Sequence, residues 1–97
     1  MIREIATVLI KPGSETPFER NFVTAIPLFE RAKGWRSVRL ERSVENPQRY
    51  LIIIVWETLE DHIVGFRNSD DHRRWRELVG SFFASPPLVD HTETVFE

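Results

Sequence analysis

Along the chain, apolar residues switch between dense or alternating runs and a three-to-four-residue spacing, and the switches mark the expected elements. Residues 2–10 are rich in Ile, Val, Leu and Thr and run into Lys11-Pro12-Gly13, which predicts a strand ended by a turn. Phe18, Phe22, Ile26 and Phe29 then recur on one helical face. Thr16 stands where a cap belongs, Pro17 at the first helical position, and Glu19 completes a capping box. Lys33-Gly34 offers a cationic last turn and a left-handed stop. Pro27 removes a hydrogen bond inside this helix and clashes one turn back, so a kink or break is expected there.

From Trp35 to Arg42 the pattern alternates, and the turn Ser43–Arg49 leads into the unbroken apolar run Tyr50-Leu-Ile-Ile-Ile-Val-Trp56, a hairpin. Thr58 and Asp61 form a cap-like pair before Leu59, His62, Ile63 and Phe66, which share a helical face. Asn68 or Ser69 then caps a further helix with two acids in its first turn and an inner stripe of Trp75, Leu78, Val79 and Phe82. Ser85-Pro86-Pro87 ends it, and Leu88 to Phe96 reads as a last strand.

Strand, helix, strand, strand, helix, strand is the order of an α+β, ferredoxin-like split β-α-β fold: a four-stranded antiparallel sheet with its helices on one face. The first and third strands are central, and the third is the apolar run. Helices reach one of its faces only, so the other presents apolar residues that an association surface would cover. A homodimer packed sheet to sheet is the expected answer, with either parity of the strand free to face the partner.

At 97 residues the chain is expected to form one domain, residues 1–97. Thirteen basic against fifteen acidic residues leave a charge of −2, no field for a nucleic acid. Without cysteine there is neither disulfide, thiolate metal site nor thiol nucleophile. Arg3 and Glu4 interrupt an opening apolar run too short for a signal peptide or a membrane span, so no membrane association and a cytoplasmic location are expected.

Residues 56–95, from "WETLEDHIVGFRNSDDHRRW" to "DHTETV", together with "AIPLFERAKG" earlier, resemble the antibiotic biosynthesis monooxygenase family. The resemblance implies a dimeric α/β barrel and an enzyme that uses neither metal nor organic cofactor. In it, molecular oxygen attacks a deprotonated polycyclic phenol or quinol held in an apolar pocket. The family also contains haem-degrading members, whose Asn, Trp and His fall here on Ala6, Phe66 and Arg76 and match none of them. The histidine that many members carry late in the helix after the third strand is here Phe66.

His62 is the candidate base, because its helical phase turns it toward the sheet between Leu59 and Phe66. The same placement suits a buried histidine hydrogen-bonded to backbone or capping its helix. Phe22, Trp56, Phe66, Trp75 and Phe82, with Trp35 and Phe29, could line a flat aromatic pocket or simply fill the core. Arg67 could hold a phenolate, or pair with nearby acids. Arg73, Arg74 and Arg76 lie at helical spacing from Asp70, Asp71 and Glu77, the pattern of an ion-paired exposed face. His62, His72 and His91 lack the spacing of a metal site. His72 is expected to be exposed, and His91 to reach the dimer contact beside Val89 and Val95.

Overall fold

A computed structural model describes residues 1–97. Four strands, β1 (Ile2–Leu9), β2 (Trp35–Arg42), β3 (Arg49–Trp56) and β4 (Leu88–Thr92), form one antiparallel sheet in the order β2-β3-β1-β4. Helix α1 (Glu15–Glu30), a π-helical segment (Asp61–Phe66) and helix α2 (Asp70–Val79) lie on one face, and a 3-10 turn (Gly80–Phe82) follows α2. This is the ferredoxin-like arrangement expected from the pattern, with β1 and β3 central.

The apolar run divides by parity. Tyr50, Ile52, Ile54 and Trp56 are at most 1% exposed beneath the helices, whereas Leu51, Ile53 and Val55 point the other way and are only half-buried. In β1 the helix-side residues are Glu4, Ala6 and Val8, continued by Ile10. The apolar ones among them pack against Phe18, Phe22 and Phe29 of α1, Phe66 and Val79 in one cluster. Each fully buried Val, Ile or Phe among them contributes about 1.5–3 kcal/mol. The open face carries Ile5 and Thr7 beside Leu51, Ile53 and Val55, with Arg3, Arg39, Glu41 and Asp90 toward its edges.

Helix α1 departs from the expected start. It begins at Glu15, with the Phe18 amide donating to the Ser14 carbonyl at 2.9 Å, so Thr16 and Pro17 lie inside the first turn. Pro17 still sits among the amides that have no intrahelical acceptor. Glu19 is drawn away from any capping role: its carboxylate accepts from the Tyr50 hydroxyl at 2.5 Å and from Arg42 at 3.2 Å. The helix runs through Pro27 without a break. Pro27 is one turn from the helix end and exposed, as is Val23, whose carbonyl the missing N–H leaves free on the solvent side.

Because α1 ends at Glu30, Lys33 is outside it, and Gly34 at φ +81° serves the turn into β2. Its carbonyl there accepts from the Glu57 amide at 2.8 Å. The Thr58 hydroxyl accepts from the Asp61 amide at 3.1 Å, as expected of a cap, but the helix behind it winds as a π-helix. Ser69 is the cap of α2, accepting from the His72 amide at 3.2 Å. The last strand stops at Thr92, short of the expected Phe96.

Candidate functional site

Sheet register places the polar centre. Glu4 lies opposite Ile54 on β3 and opposite His91 on β4, and cross-strand partners share a face, so a carboxylate and an imidazole meet beneath the helices. The π-helical segment lowers His62 onto them. One extra residue per turn is a geometry that recurs at functional sites, and here it buries both His62 and Phe66.

The contacts form a chain. Trp56 Nε1–H donates to Glu4 Oε1 at 3.0 Å, and His62 Nε2 lies 3.1 Å from the same oxygen. His62 Nδ1 hydrogen-bonds His91 Nε2 at 2.8 Å. The Trp56 indole stacks on the His62 ring, centroids 5.5 Å apart at 18°. Glu4 is 8% exposed and His62 4%, while His91 is half-buried at the β4 edge.

Burial dominates the electrostatics. It pushes the Glu4 carboxyl up to about 7, against the opposing pull of the Trp56 N–H and the Arg67 charge. Burial also lowers His62 to about 4, helped by the charge of Arg67 and by His91 and His72. His91 is lowered by burial and Arg67, with Asp90 opposing. Near neutrality the pair therefore resists becoming a carboxylate and an imidazolium, and a shared proton favours the carboxyl.

Beside this chain lies a cavity of about 200 Å³. Glu4, Ala6, Ile52, Ile54 and Val89 form its sheet side, and Phe29, Phe66 and Trp75 its aromatic wall, with His62, Arg67, His72 and Arg76 supplying polar edges. Phe29 meets Phe66 at 5.1 Å and Trp75 edge-on at 5.9 Å. No three His, Asp or Glu side chains are arranged to hold a metal ion.

Residues 1–78 match the family described as antibiotic biosynthesis monooxygenase. The chain belongs to the antibiotic biosynthesis monooxygenase family. A Bordetella bronchiseptica protein provisionally described as an antibiotic biosynthesis monooxygenase has a crystal structure that superposes with a TM-score of 0.96 at 49% identity, covering 98% of this chain and 97% of its own. The uncharacterised Bacillus subtilis protein YczJ is 39% identical over 95 residues, 98% of this chain and 100% of that protein. SnoaB of Streptomyces nogalater, a cofactor-independent oxygenase, shares the fold at a TM-score of 0.84 and 14% identity, over 99% of this chain and 94% of its own.

In this family member the sequence-derived candidates separate into groups. His62, Phe66, Arg67 and Trp75 line the cavity. Trp56 lies behind His62, as a stacking surface and as the donor to Glu4. Phe22 and Phe82 are not brought to the cavity; both pack around Phe18, at 6.1 and 6.5 Å. Arg67 is exposed and makes no ion pair, and its charge lowers the titration of Glu4 and of the three histidines. Asp70 pairs with Arg73 and Arg74 as expected, whereas Asp71 pairs with Arg31, just past the end of α1, at 2.6 Å and Arg76 turns to the cavity.

Two histidines lie elsewhere than expected. His72 is half-buried, stacked on Trp75 at 5.9 Å and 19°, because the start of α2 folds over the cavity. His91 faces the helices with Val89 and meets His62, away from the open sheet face, and Val95 falls outside the strand. Sequence reasoning missed Glu4. Its signal was parity: Glu4 shares the buried side of β1 with Ala6 and Val8, where an acid needs a reason.

Proposed function

We propose that the protein, with residues 1–97 acting as one unit, is a cofactor-independent monooxygenase that oxidises a small aromatic phenol or quinol with molecular oxygen. Family membership and the joining of an aromatic-walled cavity to a buried proton-exchanging cluster support this reading. The observation that carries it is the Glu4–His62 contact at the cavity wall, which offers a group titrating near neutrality to a phenol hydroxyl. Arg67 at the rim suits a developing phenolate. A cavity of about 200 Å³ favours one or two fused rings over a larger polycycle, since about 150 Å³ already holds a benzene.

The working form is a homodimer joined through the open sheet face, where Ile5, Leu51, Ile53 and Val55 would otherwise meet water. A cytoplasmic location suits a chain without cysteine. The test is oxygen uptake with a panel of catechols, hydroquinones and reduced naphthoquinols: at least one should consume oxygen faster than buffer, and His62→Ala should abolish the excess. Uptake equal to buffer throughout, unchanged by His62→Ala, overturns the proposal.

One observation favours a second reading, a non-catalytic dimer that holds an aromatic metabolite. Both His62 ring nitrogens are already engaged, by Glu4 and His91. That reading expects saturable quenching of tryptophan fluorescence by the same phenols without oxygen uptake.

A further inference from the structure

We propose that Glu4 is the acid–base group of the cavity and that His62 and His91 form a relay carrying its proton between the cavity and water at the β4 edge. This rests on the function proposed above and deepens it, giving the acid–base role that the sequence assigned to His62 to the carboxyl that His62 touches.

The chain is continuous and runs from inside to outside. Glu4 lines the cavity, His62 lies 3.1 Å from its Oε1, and His91 Nε2 is 2.8 Å from His62 Nδ1. Exposure rises along the same path, from Glu4 and His62, both under a tenth exposed, to half-buried His91. His91 engages His62 through Nε2, which leaves its Nδ1 as the outer end of the path.

Two hydrogen-bonding orders satisfy these contacts, and they differ by one proton. With Glu4 ionised, His62 presents Nε2–H to it and His91 presents Nε2–H to His62 Nδ1. With Glu4 protonated, its O–H faces His62 Nε2, and His62 presents Nδ1–H to His91 Nε2. Passing from the first order to the second, a proton from water binds His91 Nδ1 while His91 Nε2–H passes to His62 Nδ1. His62 Nε2–H then passes to Glu4. Each ring forms one N–H bond and breaks one, the carboxylate gains one O–H bond, and both rings end neutral.

Burial and the Arg67 charge favour neutral rings at both histidines, with Asp90 opposing at His91. His62 of the π-helical segment, His91 of β4 and Arg67 face Glu4, and Trp56 of β3 adds an N–H donor. The Arg67 charge opposes an imidazolium at either histidine.

The experiment is a pH titration of protein labelled with ¹⁵N at histidine, in which long-range proton–nitrogen correlations identify the tautomer of each ring. As Glu4 takes up its proton near pH 7, both His62 and His91 should exchange Nε2–H for Nδ1–H with one shared midpoint. Glu4→Gln, checked for folding by circular dichroism, should abolish that midpoint; the wild-type titration decides on its own if the variant does not fold. Either ring keeping one tautomer across the range, or His62 becoming doubly protonated at the midpoint, overturns the relay. The spectra need no substrate. An absence of oxygen uptake would sink the oxygenase reading and leave the relay standing, whereas fixed tautomers would sink the relay alone.

Discussion

Trp56 and His62 lie flat against each other, and both reach the same oxygen of Glu4, one from its indole N–H and the other from its ring nitrogen. A residue of the central strand thus holds at once the imidazole's plane and the carboxyl it meets. Trp56→Phe keeps an aromatic surface for the ring and deletes the donor. The Trp56 N–H lowers the Glu4 titration point, so its loss should move that point above about 7 and cost about 1 kcal/mol of stability. Infrared titration of the buried carboxyl checks the first and urea unfolding the second; a downward shift would contradict the geometry.

Opposed proton uptake should hide in the wild-type stability curve. Glu4 rises from 4.5 to about 7 on folding, so stability is lost from this group as pH climbs through that window. His62 falls from 6.5 to about 4, so its share is lost as pH drops from 6.5 toward 4. Each is on the order of 3 kcal/mol, and over their overlap the two slopes cancel. Glu4→Gln should therefore uncover a stability that rises with pH over this range, and His62→Gln one that falls. Chemical denaturation at a series of pH values measures both slopes, and two variants of equal slope would refute the assignment.

The two faces of β3 should respond differently to charge. Ile54 is 1% exposed under the helices, so Ile54→Lys should cost upward of about 3 kcal/mol and leave much of the chain unfolded. Ile53 faces the open side, so under the proposed interface the wild type should sediment as a dimer and Ile53→Lys as a folded monomer. A folded Ile53→Lys dimer would remove the proposed interface.

Arg67 acts on the site through its charge. Arg67→Gln should raise the titration points of His62, His72 and His91 together, since the guanidinium lowers all three, and raise that of Glu4 as well. Histidine NMR titration reads the three rings in one experiment; a shift confined to one ring would mean that the field comes from elsewhere.

Much of the architecture was legible because burial imposes periodicity. The dense run at residues 50–56 announced a two-faced central strand, and the recurrence of Phe18, Phe22 and Phe29 announced the helix that covers it. The start of α1 was misread for a local reason: Thr16-Pro17-Phe18-Glu19 carries every capping residue, yet tertiary contacts with Tyr50 and Arg42 claim Glu19. Of the site, His62 was visible from its phase. Its partners were not, because Glu4 and His91 are 87 residues apart in sequence and meet only through the β1–β4 register. A lone acid on an otherwise buried strand face was the one trace they left.

The π-helical winding at residues 61–66 also sets the spacing of the side chains it buries. A π turn holds an extra residue, so counting forward from Thr58 as if the segment were α-helical runs out of step with the space it occupies. That wider turn brings both His62 and Phe66 to the buried side, and His62 is the one that meets the strand-borne carboxyl.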